Sequence, residues 1–294
     1  MRSHHLLPIL ALILGSAFAV SARAVTTVVS PPAAGPWTLA HDASPAFTPN
    51  GDTVVFTRGR GADRHLYVAH RHGTAWSTPA PAPFSNRWMD LEPAMAPDGS
   101  YLVFVSNRPT LGDGVALDGQ WGGKVWPGRG GNLWRVDRVG AGWGTPTRLP
   151  ATVNADSSTF SPAVASDGSV YFMRADPASG AFRLYRSRFV QGHYTAAQPL
   201  TLGGGKAHSD YDPAVAPDGS FLVFNSDRAP SSPNGDDLFI AFATPAGWST
   251  LRDLGVAGNE ARLSPDHRTL YFSAADQRIH RVALAPWLPH RPIH

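Results

Sequence analysis

Cysteine is absent from this 294-residue chain. That excludes a disulfide framework, thiolate chemistry and a lipid-accepting cysteine, so the fold must stand on its core alone. Charge is also sparse: Asp, Glu, Lys and Arg together make up 16% of the residues, 25 basic against 22 acidic. No basic footprint for nucleic acid follows from that balance. Long apolar runs are missing too, with one exception near the amino terminus. "LLPILALILGSAFAV" (6–20) is 15 residues long, short for a span of about 20 residues. Arg2 precedes it and the small-residue triplet "ARA" (22–24) follows, so residues 1–24 are expected to be a secretory signal peptide, cut before Val25. Loss of Arg2 and Arg23 would leave 23 basic and 22 acidic residues in a single domain over 25–294. The expectation is an exported protein, periplasmic or secreted, without a transmembrane segment after cleavage.

What the chain has in abundance is turn formers, 29 Gly and 27 Pro, and 10% aromatic residues. It also repeats itself. Five copies align on a small-residue pair: "SPAFTPNGDTVVFTR" (44–58), "EPAMAPDGSYLVFVSNR" (92–108), "SPAVASDGSVYFMR" (161–174), "DPAVAPDGSFLVFNSDR" (212–228) and "EARLSPDHRTLYFSA" (260–274). A third apolar run follows each copy, as in "HLYVAHR" (65–71) and "DLFIAFA" (237–243). In four copies a Gly-aromatic polar segment comes next, as in "GTAWSTP" (73–79) and "PAGWSTL" (245–251). One unit therefore reads as four short strands.

The local chemistry agrees. Asn50-Gly51, Asp98-Gly99, Asp167-Gly168 and Asp218-Gly219 lie between strand-like runs and predict two-residue hairpins. The second strand is β-branched and aromatic (Val103-Phe104, Val223-Phe224), as suits burial on both faces. Pro45, Pro93, Pro162 and Pro213 place the first strand at an edge. Repeated four-stranded antiparallel sheets with the first strand innermost describe an all-β propeller. The fifth copy lacks an outer strand, and "AAGPWTLA" (33–40) is expected to supply it and close the ring. That gives five blades; six would need a hidden blade, for instance in 109–131.

"EPAMAPDGSYLVFVSNRP", "DPAVAPDGSFLVFNSDR" and the trailing "GWGTP" resemble the repeats of the TolB-like, WD-repeat-like propellers of exported bacterial proteins. The resemblance implies a binding platform or scaffold, a monomer, for an envelope protein, peptide or glycan. Related repeats also accompany prolyl-oligopeptidase-type hydrolase domains, but this sequence has no G-x-S-x-G elbow and no residues left over for such a domain. Nor does it have the α/β domain that precedes the propeller in TolB itself.

Two places could carry function. Asp42, Asp90, Glu92, Asp210, Asp212 and Glu260 stand at equivalent positions just before or at the first strands and would gather at one mouth of the channel. Copy three has Thr159 and Ser161 there. Three roles are open to these acids. They could accept backbone N–H bonds or pair with Arg58, Arg108, Arg174 and Arg228. They could hold a divalent cation such as Ca²⁺, with His208, Asp210 and Asp212 on one face of an extended chain. Or they could serve a glycan-active hydrolase that works with two carboxyl groups. The second place is the insertion after Arg108, where Trp121, Lys124, Trp126 and Arg129 sit among glycines. It reads either as a recognition loop or as a hairpin whose tryptophans tuck against the blade.

Overall fold

The computed structural model describes residues 32–111, 114–205, 208–229 and 236–289. The expected signal peptide lies outside them. Among the described residues there is no helix, and none long and apolar enough to cross a membrane. The strands form five antiparallel blades. Their inner strands are Ala43–Phe47, Asp90–Met95, Thr159–Val164, Asp210–Val215 and Asn259–Leu263. Each pairs with a second strand, and that with a third: in blade 2, Tyr101–Ser106 and Asn132–Val139; in blade 4, Phe221–Ser226 and Asp237–Thr244. Inner strands of consecutive blades lie side by side, and that of blade 5 lies against that of blade 1, so the ring is closed with five blades. Among the described residues of 109–131 there is no further blade, only a two-stranded hairpin, Gly119–Trp121 with Lys124–Trp126.

The seams between blades are the core. Five apolar clusters fill five seams. Alternation along a second strand sends successive side chains into opposite seams. Leu102 and Phe104 pack toward blade 1, while Tyr101, Val103 and Val105 pack toward blade 3. Phe56, Phe104, Phe172 and Phe224 are fully buried in this way. An arginine at the end of the second strand covers the stack in four blades. Arg58 lies over Phe56 and Tyr67, Arg108 over Phe104 and Trp134, Arg174 over Phe172 and Tyr185, and Arg228 over Phe224 and Phe239.

Three expectations are corrected. The turns between first and second strands are not two-residue hairpins. The glycine N–H donates to the carbonyl three residues back (Gly51 to Thr48, Gly99 to Ala96, Gly219 to Ala216), and only the glycine of each Asn-Gly or Asp-Gly pair has positive φ. That is the pattern of a type I turn with Pro49, Pro97 or Pro217 at its second position. The Asn or Asp accepts from the backbone N–H two residues on, as Asp98 does from Ser100 and Asp218 from Ser220. In copy five His267 takes the glycine's place at φ 57°.

The outer strand is a broken one. In blade 1 it is Ala75–Trp76 and Ala80–Pro81, each pairing with a different part of His65–His72. Pro79 and Pro81 carry no N–H, which a continuous ladder would need.

The amino-terminal segment closes the ring, but not as a strand. The Ala33 N–H donates to the Ile279 carbonyl and the His41 N–H to that of Gln277, both at 2.8 Å, and nothing regular lies between. Blade 5 therefore has three strands. Pro32 and Pro36 cannot donate to a ladder. Trp37 does the joining instead. It is buried in the seam of blades 5 and 1, edge-on to Phe47, Phe56 and Tyr271 at 5.7–6.3 Å between ring centres.

Candidate functional site

The geometry of the axis is set by one repeated irregularity. In every inner strand the register slips by a residue, and the residue at the slip is left-handed without being glycine: Ser44, Glu92, Ser161, Asp212 and Glu260, at φ 48–56°. Such φ values are uncommon for non-glycine residues and mark a β-bulge. Four of the five precede Pro45, Pro93, Pro162 and Pro213, which suits a point where the ladder is interrupted.

The bulge divides the six acids into two sets. Asp42, Asp90 and Asp210 come before it and point into the blade. There they pair with Arg58, Arg108 and Arg228 at 2.7, 2.9 and 2.5 Å. Glu92, Asp212 and Glu260 are the bulge residues themselves and line a cavity of about 490 Å³ at one mouth of the channel, with Arg64. The alternation expected for His208, Asp210 and Asp212 fails for the same reason. His208 lies 3.4 Å from Asp210 and 3.2 Å from Arg228, while Asp212 faces the axis. Among the described residues no three His, Asp or Glu side chains come together in a way that could hold a metal ion.

Two of the axial acids, Glu92 and Asp212, tie blade to blade, and the Glu260 carboxylate bonds within its own blade. Glu92 Oε2 accepts from the Ser161 backbone N–H at 2.7 Å, and Asp212 Oδ2 from the Glu260 N–H at 2.7 Å. The Glu92 N–H donates to Thr57 Oγ1, and the Ser273 hydroxyl to Glu260 Oε2. Beneath them lies Arg262, buried on the axis. It stands where the other copies have Ala46, Ala94, Ala163 and Ala214. Its Nε donates to the Pro93 carbonyl at 3.2 Å and its Nη2 to Ser161 Oγ at 3.3 Å, so it reaches from blade 5 across to blades 2 and 3. The sequence shows this arginine as a departure from the repeat, but its role appears only when the ring is closed.

Burial, and then the charges of Asp212 and Glu260, push the Glu92 carboxyl up to about 8, against the pull of Arg64 and Arg262. Burial and Asp212 also raise Glu260. For Glu92 the consequence is a loss of stability with rising pH. Below its unfolded value of about 4.5 both states hold the proton; between there and about 8 the folded state holds it more tightly. Each pH unit in that window removes up to about 1.4 kcal/mol. The melting temperature is expected to fall between about pH 5 and pH 8. In Glu92→Gln, whose amide oxygen can still accept from Ser161, that fall should be visibly shallower. An unchanged slope in the variant would show that Glu92 ionises freely.

A second cavity of about 400 Å³ adjoins the first through Arg64, Glu92 and Met173. Trp121, Trp126, Phe160, Phe182 and Tyr211 wall it, with Arg129. The copy-two hairpin supplies the tryptophans. It is clamped to blade 3 by Gln120, whose N–H donates to Ser158 Oγ and whose carbonyl accepts from it, both at 2.9 Å. The Gly122 N–H also donates to the Gly180 carbonyl. Trp121 packs edge-on to Phe160 and stacks on Trp126 at 5.5 Å. Lys124 is exposed and lines neither cavity. Phe160, Phe182 and Tyr211 carried no signal as site residues, because their spacing is that of ordinary strand residues.

No protein-family model matches the chain, and no curated protein matches it in sequence. Solved structures match in fold. TolB from Acinetobacter baumannii is 16% identical, with a TM-score of 0.50 over 82% of this chain. A protein of unknown function from Dyadobacter fermentans is 18% identical, with a TM-score of 0.49 over 79% of this chain and 75% of that one. The matched region spans 53% of the Acinetobacter protein, about half its length. At these identities the likeness is one of fold, a TolB-like propeller.

Proposed function

We propose that the protein is an exported, non-catalytic binding module that meets its ligand at the mouth formed by the two adjoining cavities. Export rests on the amino-terminal sequence. The binding reading rests on the bonding of the axial acids: Glu92, Asp212 and Glu260 each have an oxygen engaged by a neighbouring strand. A carboxylate that holds two blades together, as those of Glu92 and Asp212 do, has a structural task which explains its presence without chemistry. The aromatic cavity beside them offers apolar surface with few convergent polar groups, as binding sites do.

One observation favours a second reading, a glycan-active hydrolase. Glu92 holds its proton to about 8, through burial and then the nearby Asp212 carboxylate, a pairing of the sort that divides acid and base roles. Reducing-end release from a panel of glycans decides between them. No release from any glycan is the expected result. Release that disappears in Asp212→Asn and Glu92→Gln would make the site a glycosidase.

A further inference from the structure

We propose that the ligand of this mouth is an uncharged saccharide, seated against Trp126 with its hydroxyls directed to Glu92 and Arg64. The inference rests on the binding reading above and names its ligand class.

Three observations carry it. The first is the platform. Trp126 stacks on Trp121 at 14° between ring planes, its indole N–H donates to the Trp121 carbonyl, and it remains 40% exposed. The ring is thus fixed in orientation before any ligand arrives, which lowers the ordering cost of binding. Flat, preoriented aromatic surface suits the apolar face of a pyranose.

The second is the mixture of donors and acceptors. Asp212 and Glu260 stand at the mouth beside Arg64 and Arg129, with Arg60 exposed at the rim. Glu92, which keeps its proton to about 8, can both donate and accept there. Guanidinium groups only donate and carboxylates only accept, whereas a sugar hydroxyl does both and can meet each of them.

The third is what the mouth withholds from a peptide. An extended peptide most simply binds by adding a strand to an open edge. Here the innermost edges are interrupted at Ser44, Glu92, Ser161, Asp212 and Glu260 by the bulge, and in four copies by the following proline. No regular ladder of N–H and C=O groups faces the axis.

The test uses the full mature chain and tetrasaccharides of glucose (α- and β-linked) and of N-acetylglucosamine, followed by tryptophan fluorescence and calorimetry. Lysine-rich and glutamate-rich peptides serve as comparison ligands. At least one tetrasaccharide is expected to bind, with affinity changed little by a tenfold rise in ionic strength. Trp126→Ala should weaken it at least about tenfold, since it removes both buried area and stacking. Trp126→Tyr should retain most of it, and Val125→Ala, on the same hairpin, should leave it unchanged. Melting curves establish that each variant is folded. If a peptide binds at this mouth and no saccharide does, the ligand class falls and the binding module stands. If folded protein binds neither, both readings fall. Saccharide binding that is indifferent to Trp126→Ala would overturn the assigned seat.

Discussion

Arg262→Ala is expected to destabilise the propeller by about 3–5 kcal/mol, the cost of removing one partner from a buried charge network. The guanidinium lies on the axis, bonded to blades 2 and 3 and to its own backbone at Ala261. Burial lowers its pKa while Asp212, Glu92 and Glu260 raise it, so its charge is held in place by those three acids. Alanine is the residue of the other four copies, and steric fit is not at issue. What the variant loses is the counter-charge. Its carboxylates will then hold protons more tightly, and the penalty should be larger at about pH 8 than at about pH 5. Adding Glu92→Gln, which leaves that side chain neutral at every pH, should restore part of the loss at about pH 8 and little of it at about pH 5. Denaturant unfolding at the two pH values measures all three quantities. A single variant as stable as the parent at both would show that the acids do not depend on Arg262.

The same residue illustrates what could be read from the sequence. The five copies gave the blades, the antiparallel order and the buried second strands, because each depends on pairings within one copy. The Asp of each Asp-Gly pair was legible as turn chemistry, although its task is to accept from the backbone two residues on rather than to adopt positive φ. The bulge was not legible. Ser44, Glu92, Ser161, Asp212 and Glu260 share no side-chain chemistry, and strict alternation along the strand put Asp210 and Asp212 on one face. A one-residue slip turns one into the blade and the other to the axis. The aromatic cavity was half legible. Trp121, Trp126 and Arg129 stood out among glycines, whereas Phe160, Phe182 and Tyr211 come from two later copies and join the hairpin only through the packing of consecutive blades.

Trp37→Ala is expected to cost a further large amount, about 3–5 kcal/mol, by opening a cavity in the seam between blades 5 and 1. Three seams are built from two full blades each. The seam of blades 5 and 1 sets a full blade against the three-stranded one, to which the short amino-terminal segment bonds at two points, Ala33 and His41. Trp37 compensates with area: its ring meets Phe47, Phe56 and Tyr271, and its Nε1–H is satisfied locally by the Ala33 carbonyl at 2.8 Å. The loss should be local before it is global. Native-state hydrogen exchange in Trp37→Ala is expected to quicken first at the Ala33 and His41 amides and along Ile279–Ala283, with blades 2 and 3 following only near the new midpoint. Trp37→Phe, which keeps a ring in the seam, should recover more than half of the stability. If Trp37→Ala melts as the parent does, or if exchange quickens evenly around the ring, the closure of this propeller does not reside in its amino-terminal segment.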